Sequence, residues 1–285
     1  MAFIECEGLT HVYLKNTPME TVAISDVTLR IDEGEFVAII GPTGSGKSTL
    51  VQHFNALLRP TSGTVRVGGI DLADPKSDRR AVRRSVGLLF QYPEHQLFEE
   101  TVLEDVSFGP KNLGLPPVEV RDRAEEALRA VGLDPAVFGA RSPFSLSGGE
   151  MRRVAAAGVL AMSPRVLVLD EPAAGLDPRG KTEMLGQFRD LHGVRGLTIV
   201  LITHSMDEAA ALARRVVVLD RGRVVMDGPT REIFGRATEL ADLGLGVPLV
   251  TDLVRRLRAR GLPVSEDVLT VDEAREAIRE ALGWS

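Results

Sequence analysis

Residues 41–49 read GPTGSGKST, and they follow the apolar run FVAII at 36–40. An apolar strand that ends in a glycine-rich turn and then opens a helix is the setting in which this motif cradles phosphate. Gly41, Gly44 and Gly46 let the backbone wrap phosphate oxygens without Cβ collisions, and Pro42, Thr43 and Ser45 lie in the same cradle. The loop amides and the helix N-terminus supply positive potential. Lys47 is placed to reach the β- and γ-phosphates, Ser48 to ligate Mg2+, and Thr49 to support the phosphate contacts.

Around this stretch, strand-like runs recur at SVGLLF, RVLVLD, LTIVLIT and RVVVLD, and helical patterns over 47–58, 118–131, 148–162 and 179–191 lie between several of them. Apolar strands alternating with helices predict an α/β fold with a mostly parallel, doubly covered sheet. The first segments, FIECEGLTHVYL and DVTLRI, read instead as antiparallel strands of a small β subdomain. Composition fits a folded protein: 285 residues, 44% hydrophobic and 26% charged, with a net charge of −6. That charge argues against a general nucleic-acid binder, because phosphate affinity comes mainly from lysine and arginine. Cys6 is the sole cysteine, which excludes an intrachain disulfide and a cysteine metal cluster and reads as a small buried residue. The longest apolar run, VAAAGVLAM, is far short of a membrane span. The opening MAFIECEGL carries glutamates where a secretory signal carries positive charge.

VLVLDEP at 166–172 supplies the second half of a nucleotide site. Asp170 ends a very apolar strand, where an unpaired carboxylate is costly, and Mg2+, bound directly or through water, accounts for it. Glu171 is the natural general base for a water that attacks the γ-phosphate. His204 closes LTIVLIT, where the γ-phosphate is read, and Tyr13 is a candidate platform for an adenine ring. LSGGE at 146–150 is another glycine-rich turn opening a helix, so the amides of Leu146, Ser147, Gly148, Gly149 and Glu150, with the Ser147 hydroxyl, form a second anion site. One chain cannot readily bring both sites onto one nucleotide, whereas two chains arranged head to tail can.

A P-loop followed by LSGGE and then a strand ending in Asp-Glu resembles the ATP-binding-cassette superfamily, over residues 2–235. The resemblance implies a P-loop fold with a RecA-like parallel core, a small antiparallel β subdomain and a helical signature subdomain over about 92–162. It implies ATP and Mg2+ as ligands, with Ser48, Gln91 and Asp170 around the metal. Tyr13 falls on the A-loop, 41–49 on the Walker A motif, Gln91 on the Q-loop and 146–150 on the signature acting in trans. Asp170 and Glu171 fall on the Walker B motif and base, Asp177 on the D-loop and His204 on the switch histidine. Ser205 departs from the aspartate common after that histidine.

QYPEHQLFEETVLEDVSFGPKNLGL, from residue 91, is similar to the Q-loop region of the ATPase subunits of energy-coupling factor transporters, as are the TPME segment at 17–20 and the two C-terminal helical patterns. That resemblance implies a second, paralogous or identical ATPase subunit, a transmembrane coupling subunit and a substrate-capturing membrane subunit. It places the chain at the cytoplasmic face of the membrane, powering uptake of a vitamin or transition-metal ion. Glu94, Glu99 and Glu100 beside Leu97 and Phe98 read as an acidic rim and apolar groove for an amphipathic helix carrying an arginine. Other transporter classes, for amino acids or drugs, are the nearest alternative. DNA-acting relatives carry a long coiled coil, ribosome-acting relatives carry two cassettes, and a GTPase switch requires an NKxD pattern; none is present. The expected organisation is a nucleotide-binding domain over 1–245 and a helical dimerisation extension over 246–285. Leu249, Leu253 and Leu257, and Ala274, Ile278 and Leu282, form its expected apolar stripes.

Overall fold

The computed structural model describes residues 2–284. Its strands are β1 (Ala2–Tyr13), β2 (Thr21–Asp32), β3 (Phe36–Ile40), β4 (Ser62–Val67), β5 (Ile70–Asp71), β6 (Val86–Leu89), β7 (Val166–Asp170), β8 (Thr198–Ile202), β9 (Arg215–Asp220) and β10 (Arg223–Pro229). They form two sheets. β2-β1-β4-β5 is antiparallel throughout. β10-β9-β3-β8-β7-β6 is parallel except for β10, its antiparallel edge.

The unbroken apolar runs follow from this arrangement. Every residue of β3, β6, β7 and β8 is buried, because both faces of the six-stranded sheet are covered. Alternation sorts the side chains into two cores. Phe36, Ala38 and Ile40 of β3 face a helical layer with Leu167, Leu169, Ile199 and Leu201. Val37 and Ile39 face the other way, with Val166, Val168, Val200 and Ile202, onto Leu50, Val51 and Phe54 of the helix Lys47–Phe54 and onto the antiparallel sheet. Cys6 lies in this second core, where burial pushes its thiol up to about 12.

Between β6 and β7 the chain is helical, with a 3-10 turn Pro93–Gln96 and helices Val102–Asn112, Pro117–Ala130 and Gly148–Leu160. After β10 come Thr230–Gly235, Ala237–Asp242, Leu249–Ala259 and Val271–Leu282.

Of the expected stripes of the tail, Leu257, Ala274 and Ile278 lie in or on its core, whereas Leu249, Leu253 and Leu282 do not. Leu249 is 76% exposed and Leu253 46%, and Leu282 is exposed as well. The tail instead builds its own small core from Val254, Val264, Val268 and Ala274, with Val250, Leu257, Ala277 and Ile278 packed on it. Val264 and Val268 come from the loop between the two helices, and on the first helix the covered face, Val250 and Val254, is one residue along from Leu249 and Leu253. The tail is also tied to the rest of the chain. Arg231 bonds Asp267 and Glu273, and the Leu249 amide donates to Asp207 at 2.9 Å.

One buried group sets an acid limit on this fold. His53 is fully buried, with its Nδ1 2.8 Å from the Thr49 carbonyl and the His11 ring 4.9 Å away. Burial pushes the His53 imidazole down to about 4; the Thr49 hydrogen bond opposes this and the nearby His11 adds to it. The unfolded chain takes up this proton near pH 6.5 and the folded chain only near 4. The contribution is therefore complete above about pH 6.5 and is lost as pH falls toward 4, a total of about 3 kcal/mol. Replacing His53 by Leu should flatten the fall of the thermal midpoint across that window. A midpoint that falls as steeply in His53→Leu as in the parent chain would contradict this assignment.

Candidate functional site

The loop after β3 has little freedom to be anything but glycine-rich. Gly46 has φ +99°, and a Cβ there would lie 2.6 Å from the Ala23 carbonyl and 2.7 Å from Ile24 Cγ2. A Cβ on Gly41 would lie 2.1 Å from the Leu219 carbonyl of β9. Gly44, by contrast, faces open space, and its need for glycine is the left-handed φ of +78°. Pro42 and Ser45 close a tight turn, with the Ser45 amide donating to the Pro42 carbonyl at 3.2 Å, while Thr43 is exposed. Lys47 is buried, and its ammonium donates to the carbonyls of Gly41 at 2.8 Å and Pro42 at 2.9 Å, across the mouth of the loop. Burial pulls the Lys47 pKa down, against the opposing charges of Glu171 and Asp170. Thr49 Oγ1 lies 3.2 Å from the hydroxyl of Tyr13, whose ring is 38% exposed and meets His11 edge-on.

The ends of three neighbouring strands meet this loop. Glu171 follows β7 with φ +50°, a conformation that costs a non-glycine residue free energy and clusters at functional sites. Its amide donates to the Ile202 carbonyl of β8 at 3.0 Å, which holds it there. The Glu171 carboxylate lies 2.7 Å from His204 Nε2 and 3.3 Å from Gln91 Nε2. The structure thus brings together Gln91 after β6, Glu171 after β7 and His204 after β8. Asp170 is buried at the end of β7, beside Ser48 at the start of the P-loop helix. Burial pushes the Asp170 carboxyl up and Glu171 adds to this, while Ser48, Lys47 and His204 pull it back.

LSGGE opens a different helix from the one that the P-loop opens. Leu146 is buried, and Ser147 caps the helix Gly148–Leu160 in a capping box with Glu150. The Ser147 amide and hydroxyl donate to Glu150 Oε2 at 2.8 and 2.7 Å, so this carboxylate occupies part of the expected anion cradle. Gly148 is exposed and Gly149 half-buried. The signature helix packs on the turn Pro93–Gln96, on β6 and on the two preceding helices, whereas the P-loop helix packs on β2 and β4. Asp177 caps the helix Pro178–Arg195 by accepting from the Gly180 amide at 2.9 Å. Ser205, the departure noted in the sequence, caps Met206–Leu212 by accepting from the Glu208 amide, so the helix start survives without aspartate.

The proposed acidic rim is smaller than the sequence suggested. Glu94 is not free. Its two oxygens accept from Arg152 Nε at 2.9 Å and Nη2 at 3.0 Å. Burial pushes the Glu94 carboxyl up, but the Arg152 bonds, the backbone hydrogen bond at Glu94 and the charges of Arg152 and His95 together leave the pKa below the usual carboxylate value. Leu97 is buried in the helical core rather than lining a groove. Phe98 stays 57% exposed, edge-on to Phe108 at 4.8 Å, with half-buried Glu99 and exposed Glu100 beside it. Arg152 was not singled out in the sequence. Its only signal is a pair of arginines behind LSGGE, and nothing in that pair marks which one turns inward.

Comparison with known proteins places this geometry. A family model described as ABC transporter matches residues 24–174. The energy-coupling factor transporter ATP-binding protein EcfA2 of Symbiobacterium thermophilum is 57% identical, over 97% of this chain and 95% of the relative. A structure of cbiO1 from Clostridium perfringens, described as part of the ABC transporter complex cbiONQ, is 36% identical. It covers 89% of this chain and 99% of its own, with a TM-score of 0.75. A dimeric ATP-binding cassette in a post-hydrolysis state with ADP and Pi is 32% identical, covers 80% of this chain and 98% of its own, and has a TM-score of 0.71. The chain belongs to the ABC transporter family and, within it, to the ATP-binding proteins of energy-coupling factor transporters, ATPases whose hydrolysis is coupled to transport.

Proposed function

We propose that this chain is one half of a two-ATPase motor at the cytoplasmic face of the membrane, driving uptake of a vitamin or transition-metal ion through membrane partner subunits. The observation that carries this reading is the separation of the two cradles. Lys47, Ser48, Gln91, Asp170, Glu171 and His204 gather at the strand ends, while Ser147 opens a helix in a different layer. Two chains set head to tail let the signature of each cover the P-loop of the other. The dimeric cassette similar to this chain supports that arrangement.

The donor set suits a hard divalent ion: a hydroxyl from Ser48, a buried carboxylate from Asp170 and an amide from Gln91. Mg2+ held there would neutralise charge on the β- and γ-phosphate oxygens. Lys47 would then turn from the loop carbonyls to the phosphates. Glu171 accepts the proton of the attacking water, and His204 and Gln91 orient the carboxylate for that transfer. Tyr13 takes the adenine ring on its exposed face. The rim left after Glu94 and Leu97 are withdrawn, namely Phe98, Glu99 and Glu100 with Phe108, faces the membrane subunit. Leu249 and Leu253 serve the contact between the two ATPases.

Replacing Glu171 by Gln should preserve ATP binding and reduce steady-state hydrolysis by roughly 10²–10⁴-fold, the usual worth of a general base. Hydrolysis by the purified membrane complex within a few-fold of the parent would refute the assignment. Replacing Phe98 by Ala together with Glu99 by Lys should release the ATPase from membranes and stop transport, with ATP binding by the free chain intact. Full transport by that double variant would place the coupling surface elsewhere.

A further inference from the structure

Arg152 is 6% exposed, and its guanidinium joins three segments of the chain. Nε and Nη2 form a fork on the Glu94 carboxylate in the turn Pro93–Gln96. Nη1 donates to the Ala174 carbonyl, midway between Glu171 and Asp177. Its Cζ also lies 5.9 Å from the centre of the Tyr92 ring. Arg153, the next residue, is more exposed and stands 3.9 Å from Glu183, so only one of the two arginines turns into this junction.

Two of the segments it joins each hold a non-glycine residue in the left-handed backbone region. Tyr92, directly after Gln91, has φ +56°, and Glu171 has φ +50°. Such conformations persist only where the surroundings over-determine them. Glu94 and Ala174 each lie within three residues of one of these positions, and the Glu171 carbonyl accepts from the Ala174 amide at 3.1 Å. Arg152 also lies five residues beyond Ser147 on the same helix, which begins at Gly148. A guanidinium is the group that can do this. It offers a planar fork to a carboxylate and a further N–H in another direction, which an ammonium cannot match.

We infer that Arg152 is a positioning residue: it locks the Gln91 turn and the segment 171–177 to the signature helix, so that the hydrolytic cluster of one nucleotide site and the signature face of the other move as one body. The inference rests on the two-chain reading above. Arg152 touches no reacting group; it acts through Gln91 and Glu171 on one side and through Ser147 on the other. A purely structural ion pair would show itself in stability alone, whereas a positioning pair shows itself in turnover.

The test uses the full chain within the membrane complex it purifies with, and compares the parent, Arg152→Lys, Glu94→Gln and the double variant. Each is measured for kcat and KM with ATP and for thermal midpoint. Both single variants should lower kcat by roughly 10- to 100-fold, as loss of positioning does, with KM for ATP nearly unchanged. The double variant should be no slower than the slower single variant, because both act through one contact. Glu94→Gln keeps the shape of the side chain and decides the matter alone if Arg152→Lys does not accumulate. Parental kcat in the single variants, losses that multiply in the double variant, or a loss confined to KM or thermal midpoint would overturn the inference. Normal kcat in these variants beside a dead Glu171→Gln would leave the base assignment standing while this inference fails.

Discussion

The parallel register of β3, β8 and β7 is the constraint on which the site depends. Ile39 pairs with Ile202, and Ile202 pairs with Asp170, so the three strands run level to their C-terminal ends. Leu89 of β6 pairs with Leu169, which brings the fourth strand to the same edge. Whatever follows each strand by one or two residues is then delivered to one place: Gly41, Gln91, Glu171 and His204. Slipping any one strand by a residue would turn its side chains to the opposite core, and the two cores are chemically full. The convergence of these four residues is thus held by hydrophobic burial beneath it. At the edge itself the Glu171 amide on the Ile202 carbonyl ties β7 to β8, and the Glu171 carboxylate meets Gln91 and His204 through their side chains.

Much of this was legible in the sequence because the strands are short, fully apolar and punctuated. FVAII followed by GPTGSGKST, and VLVLD followed by Glu171, each name a strand, its end and the group displayed there. The helix caps were legible in kind as well, since Ser147 with Glu150 has capping-box spacing. The failures share a cause. In QYPEHQLFEET the composition is polar, but which carboxylate meets solvent depends on a partner 58 residues away, and Arg152 claims Glu94. In the tail, periodicity marked two amphipathic helices correctly, yet the loop carrying Val264 and Val268 chose which face is covered. Local pattern carries the element; long-range pairing decides its exposed face.

The capping box also suggests how the signature is kept quiet before it meets a nucleotide. Glu150 takes the Ser147 amide and hydroxyl that a phosphate would otherwise draw on. An arriving γ-phosphate would carry more charge than this carboxylate and would find Gly148 exposed at the helix start. Exchange of one anion for the other would keep the helix N-terminus satisfied. The same economy holds at Lys47, whose ammonium rests on two loop carbonyls beside the place where phosphates would lie.

The central claim is that the signature of this chain serves a nucleotide held by another chain. It is tested most directly by a cryo-electron microscopy structure of the complex purified from membranes and closed with a non-hydrolysable ATP analogue. The account predicts Ser147 Oγ within hydrogen-bonding distance of the γ-phosphate bound to the P-loop of the second ATPase subunit, and far from the nucleotide on its own Lys47. Ser147 found on the nucleotide held by its own P-loop would contradict it.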